Sequence, residues 1–152
     1  MASITKEIVI DAPAEEVWDA LRDFGALHER LVPGFVVAAE LRGDVRVVTF
    51  FNGAVAHEQL VGTDDETRRL AYTVIEGPLR VTHHNAAAQV VAEGAGRSRF
   101  VWVADVLPDE LEPAMSGLME QGIGVVKATL EGGDCGQWTG SSASVSSRGR
   151  PT

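Results

Sequence analysis

The hydrophobic pattern begins as a strand and then changes to helical spacing. Ile4, Ile8 and Ile10 share one face under the two-residue period of a β-strand, which predicts a strand over residues 4–10. Pro13 then suits the first position of a helix, because its missing N–H is not needed there. Two short helices are predicted before the next proline, one with Val17, Trp18 and Leu21 and one with Phe24, Leu27 and Leu31 at helical spacing.

Residues 35–107 consist of short β-type runs separated by turn residues. Asn52-Gly53 is the strongest hairpin signal among them and predicts a type I′ turn. Connections this short join only antiparallel neighbours, so the runs predict a meander. The six strands are predicted at residues 35–41, 45–51, 54–61, 69–75, 79–92 and 97–107.

The last part of the chain returns to helical spacing over about residues 112–131, and Gly132-Gly133 supply a left-handed stop. Residues 134–152 are rich in Ser, Gly and Arg without periodicity, which predicts a flexible tail. One domain is therefore expected over residues 1–133, followed by that tail. The element order predicts an α+β fold in which a curved antiparallel sheet of about seven strands wraps around the long C-terminal helix.

The two faces of the last two strands differ in polarity, which predicts the side chains that point inward. His84 lies on the less polar face of its strand, so His83 points outward. By the same argument Phe100 and Trp102 point inward. Small residues recur in these elements and allow two interpretations, a hollow interior or a close approach of helix and sheet. They are Ala86, Ala88, Ala104, Ser116, Gly117, Gly122 and Gly124.

Composition excludes several functions. A formal net charge of −9 argues against nucleic acid and anionic membrane surfaces as partners, because both would repel such a chain. The single cysteine, Cys135, excludes an intrachain disulfide and suits the reducing cytoplasm. No signal peptide and no membrane span is recognised in the sequence, so a cytoplasmic location is expected.

Several motifs occur together in an order typical of one superfamily. They are residues 8–18 (IVIDAPAEEVW), 57–60 (HEQL), 64–65 (DD), 69–72 (RLAY), 76–79 (EGPL) and the strand with Trp102. This order resembles the START-like, or SRPBCC, superfamily with its helix-grip fold, and within it the bacterial polyketide cyclase/dehydrase-like proteins. The resemblance covers residues 4 to about 131. It implies a cavity between the sheet and the last helix, but the superfamily includes enzymes, carriers and chaperone co-activators, so fold alone does not define activity.

Three polar side chains are candidates for chemistry in that cavity. The resemblance implies that Glu58 faces it, either as an acid or base or in a structural ion pair with an arginine. His84 could orient a ligand carbonyl or move a proton, or be a hydrogen-bonded core residue. Tyr72 could donate its hydroxyl to a ligand oxygen, or lie at the edge of the core. The apolar walls are expected to include Phe100, Trp102, Met115, Leu118 and Met119.

No metal site is expected from the histidine pairs. Adjacent strand residues point to opposite faces, so His57-Glu58 and His83-His84 each supply at most one inward ligand. Two ligands are too few for a catalytic zinc ion, and the sequence has no dinucleotide or phosphate-binding motif, so no cofactor is expected either.

Three functions remain open. The first is binding of a hydrophobic, aromatic or polycyclic small molecule in the cavity. The second is a polyketide cyclase or dehydratase that uses Glu58 or His84 as acid or base. The third is a protein-interaction module, which requires an exposed apolar patch and a filled interior. The sequence indicates neither the ligand nor the oligomeric state.

Overall fold

The computed structural model describes residues 2–132, which form seven strands, two helices and three short helical turns. The helices are α1 (Ala14–Arg22) and α2 (Glu112–Gly132). Segment 24–31 combines a 3₁₀ turn, Phe24–Ala26, with a π-helical turn, Leu27–Leu31, and another 3₁₀ turn covers Asp109–Leu111. The strands are β1 Ala2–Ile10, β2 Val36–Arg42, β3 Val45–Phe50, β4 Val55–Asp64, β5 Arg69–Glu76, β6 His83–Ala92 and β7 Ser98–Leu107. The predicted tail, with Cys135, lies outside the described residues.

All seven strands belong to one antiparallel sheet in the order β1-β7-β6-β5-β4-β3-β2. Strands β2 to β7 form the predicted meander, and β1 joins at the far side of β7, where Ala2 lies opposite Val106 and Ile10 opposite Ser98. The predicted α+β architecture, a seven-stranded antiparallel sheet with a long C-terminal helix and short helices after the first strand, is confirmed.

Two local predictions were wrong. The strand predicted over residues 79–92 begins only at His83, where β6 begins to pair with Leu107 of β7, and residues 77–82 form a connection instead. The Asn52-Gly53 hairpin exists, but it is not a type I′ turn. Only Gly53 has a positive φ, +88°, and the Gly53 N–H donates to the Phe50 carbonyl. Asn52 accepts the Ala54 N–H through its side chain instead.

The helices cover different parts of the inner face of the sheet. Helix α2 packs chiefly against β1, where Lys127 donates to the Val9 carbonyl at 2.7 Å. Helix α1 lies over β6 and β7, and its Trp18 indole N–H donates to Asp65 in the β4–β5 turn. Segment 24–31 lies against β2. None of these three elements covers the centre of the sheet closely.

The glycines of α2 differ from one another, which corrects the prediction that they all face the interior. Gly117 and Gly124 are exposed, and a Cβ added at either would meet nothing within 4 Å. Gly122 is buried, and its added Cβ would lie 3.1 Å from the Trp102 ring. Only Gly122 therefore allows a close approach of α2 to side chains of the sheet.

Ser98 provides a test of packing at the start of β7. Its hydroxyl is fully buried and has no hydrogen-bond partner among the described residues. An unpaired buried polar group destabilises the folded state by about 1–3 kcal/mol. We expect Ser98→Ala to raise the free energy of unfolding by about 1 kcal/mol in urea denaturation. Ser3→Ala, which removes an exposed hydroxyl bonded to Asp105, is the control and should change it by less than about 0.5 kcal/mol. A loss of stability in Ser98→Ala would contradict the account.

Candidate functional site

A cavity of about 130 Å³ lies between the inner face of the sheet, α2 and segment 24–31. Leu79 and Val81 of the β5–β6 connection line one end of it. The structure places all eight residues singled out in the sequence around this one cavity. They are Glu58, Tyr72, His84, Phe100, Trp102, Met115, Leu118 and Met119.

The cavity wall is mainly apolar. Phe100 and Met119 are each 2% exposed, whereas Trp102, Met115 and Leu118 are half-buried. Further apolar wall residues come from segment 24–31 and from the chain leading into β2, among them Leu31 and Phe35. Most of the lining therefore offers a ligand dispersion contacts and removal from water, and polar groups are few.

The indole of Trp102 crosses the neighbouring strand. Its Nε1–H donates to the Tyr72 hydroxyl oxygen at 3.1 Å, although Trp102 lies on β7 and Tyr72 on β5, with β6 between them. In β6, Ala88 lies opposite Trp102 and Ala86 lies opposite Tyr72. Because these alanines are small, the indole can extend over β6. The small residues of this strand thus make room for a large side chain of the next one.

Glu58 forms a buried ion pair with Arg46. The Arg46 Nε–H donates to Glu58 Oε1 at 2.7 Å, and the two side chains are 6% and 9% exposed. A second guanidinium N–H donates to the Phe24 carbonyl at 3.2 Å, and the guanidinium lies 4.0 Å from the centre of the Phe24 ring. Of the two interpretations of Glu58, the structure contains the ion pair with an arginine.

Arg46 was not among the residues expected at the site, because its place opposite Glu58 depends on the length of the turn between β3 and β4. A two-residue turn at Asn52-Gly53 would pair residue 51 with residue 54 and place Glu58 opposite Val47. The longer turn observed places Glu58 opposite Arg46 instead, on the same face of the sheet. A shift of one residue moves every side chain to the other face. The sequence does contain one indication that Arg46 points inward. It lies two residues before the apolar Val48, which is buried, and residues two apart on a strand share a face.

Beyond Tyr72 and Ala86, β5 and β6 no longer pair through their backbones, and His84 of β6 accepts two other hydrogen bonds from β5. The Val74 N–H donates to its Nδ1 at 3.1 Å, and the Thr73 hydroxyl donates to its carbonyl. Because Nδ1 accepts a hydrogen, the ring is assigned as the neutral tautomer with its proton on Nε2. Burial lowers the pKa of His84, and the opposing effect of the Glu58 charge is smaller, so the ring is neutral at pH 7.

Two side chains that line the cavity, Tyr72 and His84, each carry one hydrogen-bond donor that has no acceptor among the described residues. Burial, with the Glu58 charge as a lesser cause, raises the pKa of Tyr72, so its phenol stays protonated and keeps an O–H to donate. Within residues 2–132 no acceptor is bonded to that O–H or to the Nε2–H of His84. The arrangement can therefore hold an oxygen acceptor of a ligand while apolar walls surround the rest of it.

In residues 2–132 no group of three or more His, Cys, Asp or Glu side chains lies close enough together to hold a metal ion. The same residues contain no helix with the length and hydrophobicity needed to cross a membrane.

Comparison with known proteins gives one family and many similar structures. The family model described as polyketide cyclase / dehydrase and lipid transport matches residues 1–131. A protein of Thermobifida fusca solved by NMR is 30% identical, with a TM-score of 0.69 over 84% of this chain and 88% of that one. No match was found among curated proteins.

Two further structures show the same fold at lower identity. A START superfamily protein from Mycobacterium smegmatis is 15% identical, with a TM-score of 0.66 over 86% of this chain and 94% of that one. The Zhui aromatase/cyclase of Streptomyces sp. R1128 is 18% identical, with a TM-score of 0.66 over 86% and 92%.

The Arg46–Glu58 pair gives a stability prediction. Removing one partner of a buried pair leaves the other charge uncompensated, so Arg46→Met or Glu58→Leu should each lower the free energy of unfolding by about 3 kcal/mol. The double variant Arg46→Met/Glu58→Leu should lose much less than the sum of the single losses. Glu40→Gln breaks the exposed pair with Arg42 and is the control, with an expected loss below about 1 kcal/mol. Additive losses in urea denaturation would contradict the account.

The lowered pKa of His84 predicts a pH dependence of stability. The unfolded chain takes up a proton near pH 6.5, whereas the folded ring does so only at lower pH. The contribution is therefore fully present above about pH 6.5 and is lost as the pH falls from there to the folded pKa. NMR titration of the His84 ring should give a pKa below 6.5, and His84→Gln should lose less stability than the wild type between pH 7.5 and 5.5. A pKa at or above the ordinary value would contradict the assignment.

Proposed function

The chain belongs to the polyketide cyclase / dehydrase and lipid transport family, and on that basis we propose that it binds an apolar small molecule with an oxygen acceptor in the cavity. The observation that carries the proposal is the combination of an apolar wall with two donors, Tyr72 O–H and His84 Nε2–H, that lack a protein acceptor among the described residues. A ligand oxygen that accepts from either donor inside the apolar cavity gains one hydrogen bond in addition to its apolar contacts. A cytoplasmic location, expected from the single cysteine, stays a prediction.

The size of the cavity supports binding of a small ligand. Apolar cavities of about 150 Å³ in proteins stay dry and bind benzene. The cavity here, about 130 Å³, is of that order and is lined by similar side chains. Its polar groups lie together, since Tyr72 and His84 have ring centres 6.0 Å apart. A ligand with one oxygen next to a single ring or a short apolar chain matches this arrangement of two neighbouring polar groups in an apolar wall.

Catalysis is the second candidate, because aromatase/cyclases are among the similar structures. Acid–base chemistry at the two predicted residues has less support than binding. Glu58 already accepts a charge-assisted hydrogen bond from Arg46. His84 uses Nδ1 to accept the Val74 N–H and carries its proton on Nε2, so it can donate a hydrogen bond but has no free lone pair to take up a proton.

The protein-interaction hypothesis required a filled interior, and the cavity does not meet that requirement. Exposed large apolar side chains do occur on several strands, including Val61 and Ile75 at 60% and 57% exposure. Single exposed apolar side chains are common on soluble domains and do not by themselves indicate a partner. Binding of a small molecule therefore remains the first candidate.

A matched pair of ligands tests the proposal. Acetophenone carries a ketone oxygen beside its ring, and ethylbenzene has a similar shape without an acceptor. In isothermal titration calorimetry we expect saturable 1:1 binding of acetophenone to the wild type. Tyr72→Phe also removes the acceptor of the Trp102 N–H, so the readout is the ratio of the two affinities: acetophenone should weaken about three- to tenfold relative to ethylbenzene, the value of one neutral hydrogen bond.

Thr73→Val is the control for this experiment. It removes a hydroxyl from the neighbouring residue, whose side chain bonds to the His84 carbonyl and does not line the cavity. It should change neither affinity by more than about twofold. If neither compound binds the wild type saturably, the proposed function is wrong. If Tyr72→Phe weakens both compounds equally, the hydroxyl has no role in holding an oxygen.

A further inference from the structure

Trp102 is held more firmly than the other half-buried wall residues of the cavity. Its indole N–H is fixed by the Tyr72 hydroxyl oxygen, and the alanines of β6 lie opposite the two residues that it joins. On the other side, the backbone of α2 approaches it at Gly122. A Cβ added there would lie 3.1 Å from Cζ3 and 3.4 Å from Cη2 of the indole.

Met115 and Leu118, the half-buried wall residues of α2, are less constrained. Met115 has an unbranched, flexible side chain that adapts to the shape of its neighbours, and Leu118 lies on the same half-buried face of α2. Trp102 cannot move aside in the same way, because a hydrogen bond fixes one edge of the indole and the helix backbone limits the other. The space beside β6 is thus permanently occupied by this protein's own ring.

We propose that Trp102, fixed by Tyr72 and Gly122, limits the ligand to a single ring. This inference rests on the proposed function and narrows it, because the sequence alone left polycyclic ligands open. Pockets that hold drug-sized molecules usually measure about 300–1,000 Å³, and the cavity here is about 130 Å³. A second ring fused to the first needs space that the indole fills above Ala86 and Ala88.

Two ketones that differ by one ring test the size limit. The probes are acetophenone and 2-acetonaphthone, and the readout is the ratio of their dissociation constants from calorimetry. The larger compound is the more hydrophobic, so it should bind more tightly wherever it fits. In the wild type we expect acetophenone to bind at least tenfold more tightly. In Trp102→Leu, which removes the indole, the ratio should shift by at least tenfold towards 2-acetonaphthone.

A pair of glycine variants tests the contact between α2 and the Trp102 indole by adding a methyl group instead of removing the ring. Gly122→Ala places a methyl group 3.1 Å from the indole and 3.4 Å from the Phe35 ring, both of which line the cavity, so at least one ring must shift by a few tenths of an ångström and acetophenone should weaken at least fivefold. Gly124→Ala makes the same chemical change two residues along α2, where nothing lies within 4 Å, and should leave the affinity unchanged. Both substitutions raise helix propensity, so both variants are expected to fold. This pair carries the test if Trp102→Leu does not fold.

Val103→Ala is the control for a general effect of shortening a β7 side chain, since Val103 is exposed and does not line the cavity. It should change the ratio by less than threefold. The inference is overturned if the wild type binds both ketones equally well, if Trp102→Leu leaves the ratio unchanged, or if Val103→Ala shifts it as much. It is also overturned if Gly122→Ala and Gly124→Ala bind acetophenone alike. Absence of acetophenone binding in the wild type would instead show that the proposed function is wrong.

Discussion

One helix cannot cover seven strands. Neighbouring strands lie about 4.8 Å apart, so a seven-stranded sheet is roughly 29 Å wide, whereas a helix with its side chains is about 10–12 Å across. The sheet must therefore bury its inner face against several elements. Helix α2 takes the side of β1, α1 takes part of β6 and β7, and segment 24–31 takes the side of β2. The centre of the inner face is left to side chains alone, and the cavity lies there.

At the centre of the inner face, side chains cover the sheet in two ways. Trp102 extends over Ala86 and Ala88 of β6 to Tyr72, so one large ring covers the part of β6 where the side chains are small. Arg46 and Glu58 neutralise each other, and the Phe24 carbonyl accepts a further guanidinium hydrogen. Charges buried with such partners cost far less than isolated charges. What remains unfilled is a small, mainly apolar space that Tyr72 and His84 also line.

The sequence predicted the sheet and its inward residues well, because alternation of polar and apolar positions depends on burial, which is what the fold must satisfy. His84, Phe100 and Trp102 were assigned to the inner face by this argument, and all three line the cavity. The β3–β4 register was not predictable in this way. Asn52-Gly53 is compatible with two turn lengths that differ by one residue, and only the longer one brings Arg46 to Glu58. Helical spacing, by contrast, is sufficient to separate Gly122 from Gly124, because Gly122 lies four residues after Leu118 and four before Val126 on the apolar stripe of α2, whereas Gly124 lies off that stripe.

The account depends most on an accessible space at the centre of the sheet. The most direct test is a set of intermolecular NOEs between acetophenone and the methyl groups of the protein. The account predicts saturable NOEs to the Met115 and Met119 methyls on α2 and to the Ala88 methyl on β6, because all three line the same cavity. The exposed Val61 and Val103 should show none. NOEs confined to such exposed valines, with none at the two methionines, would show that the ligand stays on the surface and would contradict the central claim.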